Sequence, residues 1–156
     1  MNIKISQNII LKSSLEKTYE FIVSGQLAST FLGYGKIPGI EKIDFENGSY
    51  DIPGSKAIVY NTDKTTHFER ILNVEPLKLI EIEMFGHQGA IAKIIKKNRE
   101  VVEIQSIDKN ITKLTQTFIF ELKSPVYAPV VLLISKTSFK KAMQVQQKEI
   151  QSRLSE

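Results

Sequence analysis

The segment Pro125–Leu154, PVYAPVVLLISKTSFKKAMQVQQKEIQSRL, decides the fold class. Pro125 and Pro129 suit the opening of a helix and not its interior, because proline fixes φ and has no backbone N–H. Beyond them Leu132, Phe139, Met143, Ile150 and Leu154 recur at steps of seven and four, which is one apolar stripe on a helix. Lys136, Lys140, Lys141, Gln147 and Lys148 supply a polar side. A helix of about 26 residues, rising 1.5 Å per residue, is on the order of 39 Å long and can cross a whole sheet.

Such a sheet is written upstream. From Ile37 to Leu122 the chain reads as strands over about 40–46, 56–62, 65–75, 77–86, 99–108 and 111–122. Asn47-Gly48, Pro53-Gly54, Thr62-Asp63-Lys64, Glu75-Pro76, Gly86 to Gly89 and Asp108-Lys109-Asn110 punctuate them. These short connections favour an antiparallel meander over crossover helices. Residues 2–12 form a further strand, with Ile3, Ile5, Ile9 and Leu11 on one face. Ser13 precedes Glu16 by three, the spacing of a capping box, and opens a helix carrying Leu15, Tyr19 and Ile22 as far as Ser24-Gly25. A second short helix, about 26–32, ends before Gly33 and Gly35. The expected order is strand, two short helices, six strands, long helix: an α+β chain with a curved antiparallel sheet.

At 156 residues the chain is expected to be a single domain, residues 1–156, and its 42% hydrophobic and 24% charged content is that of a folded protein. The absence of cysteine removes disulfides, thiolate zinc sites and cysteine nucleophiles together. Met1 to Ile5 alternates polar and apolar with no secretory pattern, and the apolar run Val130–Ile134 is too short to insert across a bilayer. The cytoplasm is therefore the expected location. Net charge is +4, with Lys93, Lys96, Lys97 and Arg99 the densest basic spot outside the last helix. Interspersed acids make these a solvated turn and helix face, and no nucleic-acid partner is expected. Gly33-Tyr34-Gly35 followed by Gly39 misses the dinucleotide spacing, and no P-loop, nucleophile elbow or H-E-x-x-H is present. Two distant histidines give no metal site, and no cofactor is expected. Monomer and homodimer both remain open.

Four stretches, in this order, carry a resemblance. They are Phe31-Leu32-Gly33-Tyr34-Gly35-Lys36-Ile37-Pro38-Gly39, then Gly54 before the strand Ser55–Tyr60, then Phe68-Glu69-Arg70-Ile71 ahead of Glu75-Pro76, and last Phe139-Lys140-Lys141-Ala142-Met143. With the element order, they resemble the START-like (SRPBCC) superfamily, in its polyketide cyclase/dehydrase-like branch. The resemblance implies a helix-grip fold, a seven-stranded sheet wrapped around the C-terminal helix, and an apolar cavity between them.

A helix laid across a bent sheet leaves its concave side incompletely filled. Ile80, Ile82 and Met84, then Val102 and Ile104, then Leu114, Phe118 and Phe120 share inward parities and are the expected walls, with Phe139 and Met143 from the helix and Phe31 from the loop. The same parities place Glu81, Glu83, Glu103, Lys113 and Glu121 outward. Tyr34, Tyr50 and Tyr60 can present hydroxyls to a ligand. Glu69 and His67 share one face and, if inward, could move protons; the parity of residues 65–75 is left open by the sequence. His87, in the turn Gly86–Gly89, is expected in solvent. The leading expectation is binding of a small apolar or amphipathic ligand, such as a lipid, an aromatic metabolite or a polyketide. A cyclase/dehydratase-type enzyme comes second. A partner-binding module comes third, since some relatives in the superfamily look like chaperone activators; an apolar patch on the convex face would mark it.

Overall fold

The computed structural model describes residues 1–155. Strand β1 (Asn2–Leu11) leads into helices α1 (Leu15–Val23) and α2 (Gln26–Ser29), then a small hairpin of β2 (Gly33–Tyr34) and β3 (Ile37–Pro38). Strands β4 (Ile40–Asn47), β5 (Lys56–Asn61), β6 (Thr66–Glu75) and β7 (Leu79–Phe85) follow. A helical turn, α3 (Ile91–Ile94), precedes β8 (Ile95–Asp108) and β9 (Ile111–Leu122). The chain closes with a 3-10 turn (Pro125–Tyr127), α4 (Ala128–Ile134), a π-helical turn (Ser135–Phe139) and α5 (Lys140–Leu154).

Strands β4 to β9 pair in sequence order as an antiparallel meander, and β1 joins beside β9, giving seven strands in the order β1-β9-β8-β7-β6-β5-β4. The α+β reading, the seven-stranded sheet and the long C-terminal helix all hold. β8 begins at Ile95, four residues earlier than the pattern suggests, because a register shift between Ile95 and Lys97 obscures the alternation.

Helix α1 is capped one residue later than the capping-box spacing predicts. The Thr112 hydroxyl donates to the Ser13 carbonyl at 2.8 Å and ties Ser13 to β9. Ser14 Oγ then accepts from the Lys17 N–H at 3.2 Å, and Glu16 lies in the first turn, where the helix dipole favours an acid.

The core has two apolar clusters. One gathers Ile9, Ile80, Val102 and Leu114 from the sheet under Ile150 and Leu154 of α5, with Phe21 and Ile22 of α1. The other gathers Ile3, Phe118 and Phe120 under Ala128, Val131 and Met143. Leu132, expected on the inward stripe, is 42% exposed, and Val131 is the buried residue at that level. The reason is the π turn. Counting back seven from Phe139 gives Leu132, but the extra residue of a π turn shifts the inward position by one. Ser135 Oγ donates to the Val131 carbonyl at 2.6 Å and Thr137 Oγ1 to the Leu133 carbonyl at 2.8 Å, bonds that compete with regular helix geometry there.

Gly33 holds the small hairpin closed. Its φ is +77°, and a Cβ placed on it would sit 2.3 Å from the Ile37 carbonyl oxygen. Gly33→Ala is therefore expected to cost about 2 kcal/mol from the left-handed conformation and the backbone clash together. Urea denaturation is the check, and a loss under about 0.5 kcal/mol would show that the hairpin can reopen freely.

Candidate functional site

The concave face of the sheet carries an unusual number of polar side chains. In β6 the alternation turns His67, Glu69 and Ile71 inward and Phe68 and Arg70 outward, which settles the parity left open above. Glu69 is 2% exposed and His67 is 8% exposed. Tyr50, buried in the loop between β4 and β5, donates its hydroxyl to Glu69 Oε2 at 2.8 Å, and its ring meets Phe45 edge-on. Burial and the neighbouring Glu69 charge hold the Tyr50 phenol well above its ordinary pKa, so it remains a donor.

His67 Nδ1 lies 3.3 Å from Asn61 Nδ2, an amide donor, so Nδ1 accepts and Nε2 carries the proton. That Nε2 is buried and, among the described residues, has no hydrogen-bond partner; Glu69 Oε1 stands 3.8 Å away. An orphaned buried donor of this kind costs about 1–3 kcal/mol unless something else accepts from it. The His87 ring lies 5.3 Å from that of His67, and His87 Nε2 donates to Asn98 Oδ1 at 2.7 Å. His87 is thus half-buried against the site and not in solvent, held between His67 of β6 and Asn98 of β8. Burial, with His67 beside it, lowers the His87 pKa, and the bond to Asn98 opposes this.

A second carboxylate completes the group. Glu100 of β8 keeps a little accessible surface but is ringed by protein, and accepts from Gln116 Nε2 at 2.7 Å. Burial pushes its pKa up to about 7; the Gln116 bond opposes the rise and the Glu69 charge adds to it. Gln116, wholly buried, accepts in turn from Gln7 Nε2 of β1 at 2.7 Å. Gln146 of α5 approaches Gln7 at 3.4 Å and donates to Thr30 Oγ1 at 3.2 Å. A polar chain therefore runs from the C-terminal helix through β1 and β9 to Glu100.

Two grooves lie beside this group. One, of about 500 Å³, lies between β1 and the C-terminal helix, with Ile3, Ile5, Leu132 and Met143 as apolar lining, and Lys4, Lys136, Lys140 and Gln7 among its polar lining. The other, of about 370 Å³, lies between the α1–α2 junction and β4 and is lined in part by Tyr50. Each is thus lined by one residue hydrogen-bonded into the polar group, Gln7 through Gln116 to Glu100 and Tyr50 to Glu69.

The expected wall residues divide. Met143 lines the larger groove. Phe118 and Phe120 meet Phe139 edge-on at 5.2 and 5.4 Å, and Phe31 lies 6.0 Å from the same ring. Ile80, Ile82 and Ile104 instead belong to the solid cluster under α5, because the helix tail comes down on them. Met84 is half-buried, and its sulfur accepts from Asn98 Nδ2 at 3.1 Å. Tyr34 is 44% exposed with Lys141 Nζ over its ring at 5.3 Å, an anchor between hairpin and helix. Tyr60 points outward on the convex face beside Lys42, because β5 buries Ala57, Val59 and Asn61 and not Tyr60. Glu100 and Gln116 were legible but passed over: they share parity with Val102 and Leu114, the very residues read as walls. Among the described residues no group of three or more His, Asp or Glu is placed to hold a metal ion. Among the described residues no helix is long and apolar enough to cross a membrane.

No family model matches the chain, and no curated protein matches it. Solved structures do. The crystal structure of Ara h 8.0201 matches at a TM-score of 0.71 and 15% identity, over 99% of this chain and 98% of that one. Ginseng major latex-like protein 151 from Panax ginseng matches at 0.70 and 14%, over 99% and 98%. Norcoclaurine synthase from Thalictrum flavum, solved with dopamine and hydroxybenzaldehyde, matches at 0.64 and 13%, over 96% and 87%. Identities this low speak to fold alone, and over nearly the whole chain they show one thing: this protein has the helix-grip fold of these structures.

Proposed function

We propose that the protein binds a small amphipathic molecule in the groove between β1 and the C-terminal helix. The observation that carries the reading is the groove itself, lined by the apolar Ile3, Ile5, Leu132 and Met143, by the cations Lys4, Lys136 and Lys140, and by Gln7. An apolar body fits the apolar lining, and an anionic end, such as a carboxylate, fits the lysines. Burying about 200 Å² of ligand apolar area contributes about 5 kcal/mol before association costs, so the charged lining has to add to it for measurable binding. The fold neighbours supply the precedent of a named small-molecule complex, in the norcoclaurine synthase crystals with dopamine and hydroxybenzaldehyde.

The test is a fluorescence titration with a polarity-sensitive fatty-acid probe and with an uncharged probe of the same chain length. Both are expected to bind. Lys136→Glu with Lys140→Glu is expected to weaken the fatty acid about tenfold at low salt and leave the uncharged probe within about twofold. If neither probe binds the wild-type protein, the reading fails.

Catalysis of the cyclase/dehydratase type is the second reading. It is supported by the inward Glu69, the orphaned His67 Nε2–H and a Glu100 that changes charge near neutrality, since two acids in unlike environments can divide the roles of acid and base. In this reading Glu69→Gln and Glu100→Gln each abolish turnover of a bound polyketide while leaving its affinity within about twofold. Unchanged turnover in both would remove it. The partner-binding alternative has less support, because the β7–β9 part of the convex face carries ion pairs, Arg99–Glu81 at 2.6 Å, Lys97–Glu83 at 2.8 Å and Lys96–Glu121 at 3.2 Å among them.

A further inference from the structure

We propose that the outer face of α4 is a docking surface for an anionic lipid membrane, a role that shares Lys136 and Lys140 with the groove but rests on apolar residues, Val130 and Leu133 among them, that lie outside it. Helix α4 is apolar on both sides. Ala128 and Val131 face inward and are buried against Ile3, Phe118 and Phe120. Val126, Val130, Leu133 and Ile134, at steps of four, three and one, face the other way and are 72%, 49%, 65% and 38% exposed. A surface helix with a solvated outer side carries polar residues there, and one apolar all round has a second apolar neighbour.

Charge identifies that neighbour. From Leu122 to Lys148 the sequence contains five lysines, Lys123, Lys136, Lys140, Lys141 and Lys148, and no Asp or Glu. Among the described residues no carboxylate lies within ion-pair reach of Lys136 or Lys140, whereas the basic residues of the convex face are paired with Glu81, Glu83 and Glu121. The exposed stripe is thus flanked by cations only. A second copy meeting it across a two-fold axis would bring like charge against like charge. An anionic bilayer surface presents the opposite charge together with an apolar layer just beneath it. A helix lying in the interface plane with its apolar side down and lysines at the headgroups satisfies both features. The helix is too short to span, so the contact is peripheral and reversible.

Flotation of the full-length protein with phosphatidylcholine vesicles, with and without about one third phosphatidylglycerol, tests the assignment. Binding is expected only to the anionic vesicles and is expected to fall steeply as salt is raised. Lys136→Gln with Lys140→Gln should weaken partition about fivefold per lysine. Val130→Asp with Leu133→Asp should weaken it about tenfold or more, with circular dichroism and urea midpoint unchanged, since both positions are exposed. No flotation of the wild-type protein with anionic vesicles, or equal flotation of the Val130→Asp/Leu133→Asp variant, overturns the proposal. So does a vesicle-free dimer in light scattering that the same pair of substitutions breaks, which would give the face to a second copy.

Discussion

Glu100→Gln is expected to make the protein more stable at pH 8 by about 3 kcal/mol and to leave its stability at pH 4.5 nearly unchanged. In the unfolded chain the carboxyl ionises near its model value of 4.5, and in the folded protein it does so at about 7. Between these values the folded state binds more protons, so stability is fully present below the lower pH and is lost as pH rises through the upper one. Glutamine keeps the shape and keeps an oxygen for the Gln116 amide, but it never charges. Wild type and variant should therefore diverge across pH 4.5 to 7 and run parallel above it, with a urea midpoint gap of roughly 1.5 M at pH 8. Parallel curves throughout would mean that water or rearrangement solvates Glu100 in the folded state. A protein that retains such a liability has kept a carboxylate where a neutral side chain would be more stable, as expected of a site kept for function.

Phe139→Ala should act in the opposite direction, with a loss of about 3 kcal/mol. Phe139 closes the π turn and is the ring on which Phe31, Phe118 and Phe120 converge, at centroid distances of 6.0, 5.2 and 5.4 Å. Removing it leaves an apolar void between helix and sheet that the remaining rings cannot fill without shifting. Phe139→Leu, which restores most of the volume, should cost about 1 kcal/mol. Indole should enter the void and raise the melting temperature of the alanine variant but not of the wild type, because a solute that binds only the folded state stabilises it. A cost below about 1 kcal/mol for the alanine change would show that the helix is held to the sheet chiefly by its tail, through Ile150 and Leu154.

Periodicity made the architecture legible. β9 was bounded correctly at both ends because Asp108-Lys109-Asn110 and Pro125 flank an uninterrupted alternation. β8 was not, because its register shift breaks the period of two. The site was legible only in part. The reading of walls followed apolar residues along each strand, and so passed over Glu100 and Gln116, which occupy the same parity but are polar. Tyr60 departs for the complementary reason: aromatic character suggests an inward position, and β5 places its tyrosine outward. His87 was assigned to solvent from its glycine-flanked turn, but the turn returns it to Asn98. Hydrogen-bond partners distant in sequence decide such positions, and a local pattern does not contain them.

The π turn also works as a phase corrector. From Ala128 to Leu154 the helix makes 26 steps of about 100°, which overshoots seven full rotations by about 80° if every step is regular. Both ends are nevertheless buried on the same side, Ala128 against one apolar cluster and Leu154 against the other. The one extra residue accommodated between Ser135 and Phe139 takes up about 100°, which brings the two ends back to within about 20° of each other. Helical rotation is thus reset midway along the rod, like a vernier between two fixed marks. Deleting a single residue from that turn should return the helix to regular winding, 25 steps in place of 26 and within about 20° of seven full rotations, with both halves still docked on the same side. Inserting a residue elsewhere in the rod, where no π turn takes it up, should instead rotate α4 by about 100° against the sheet.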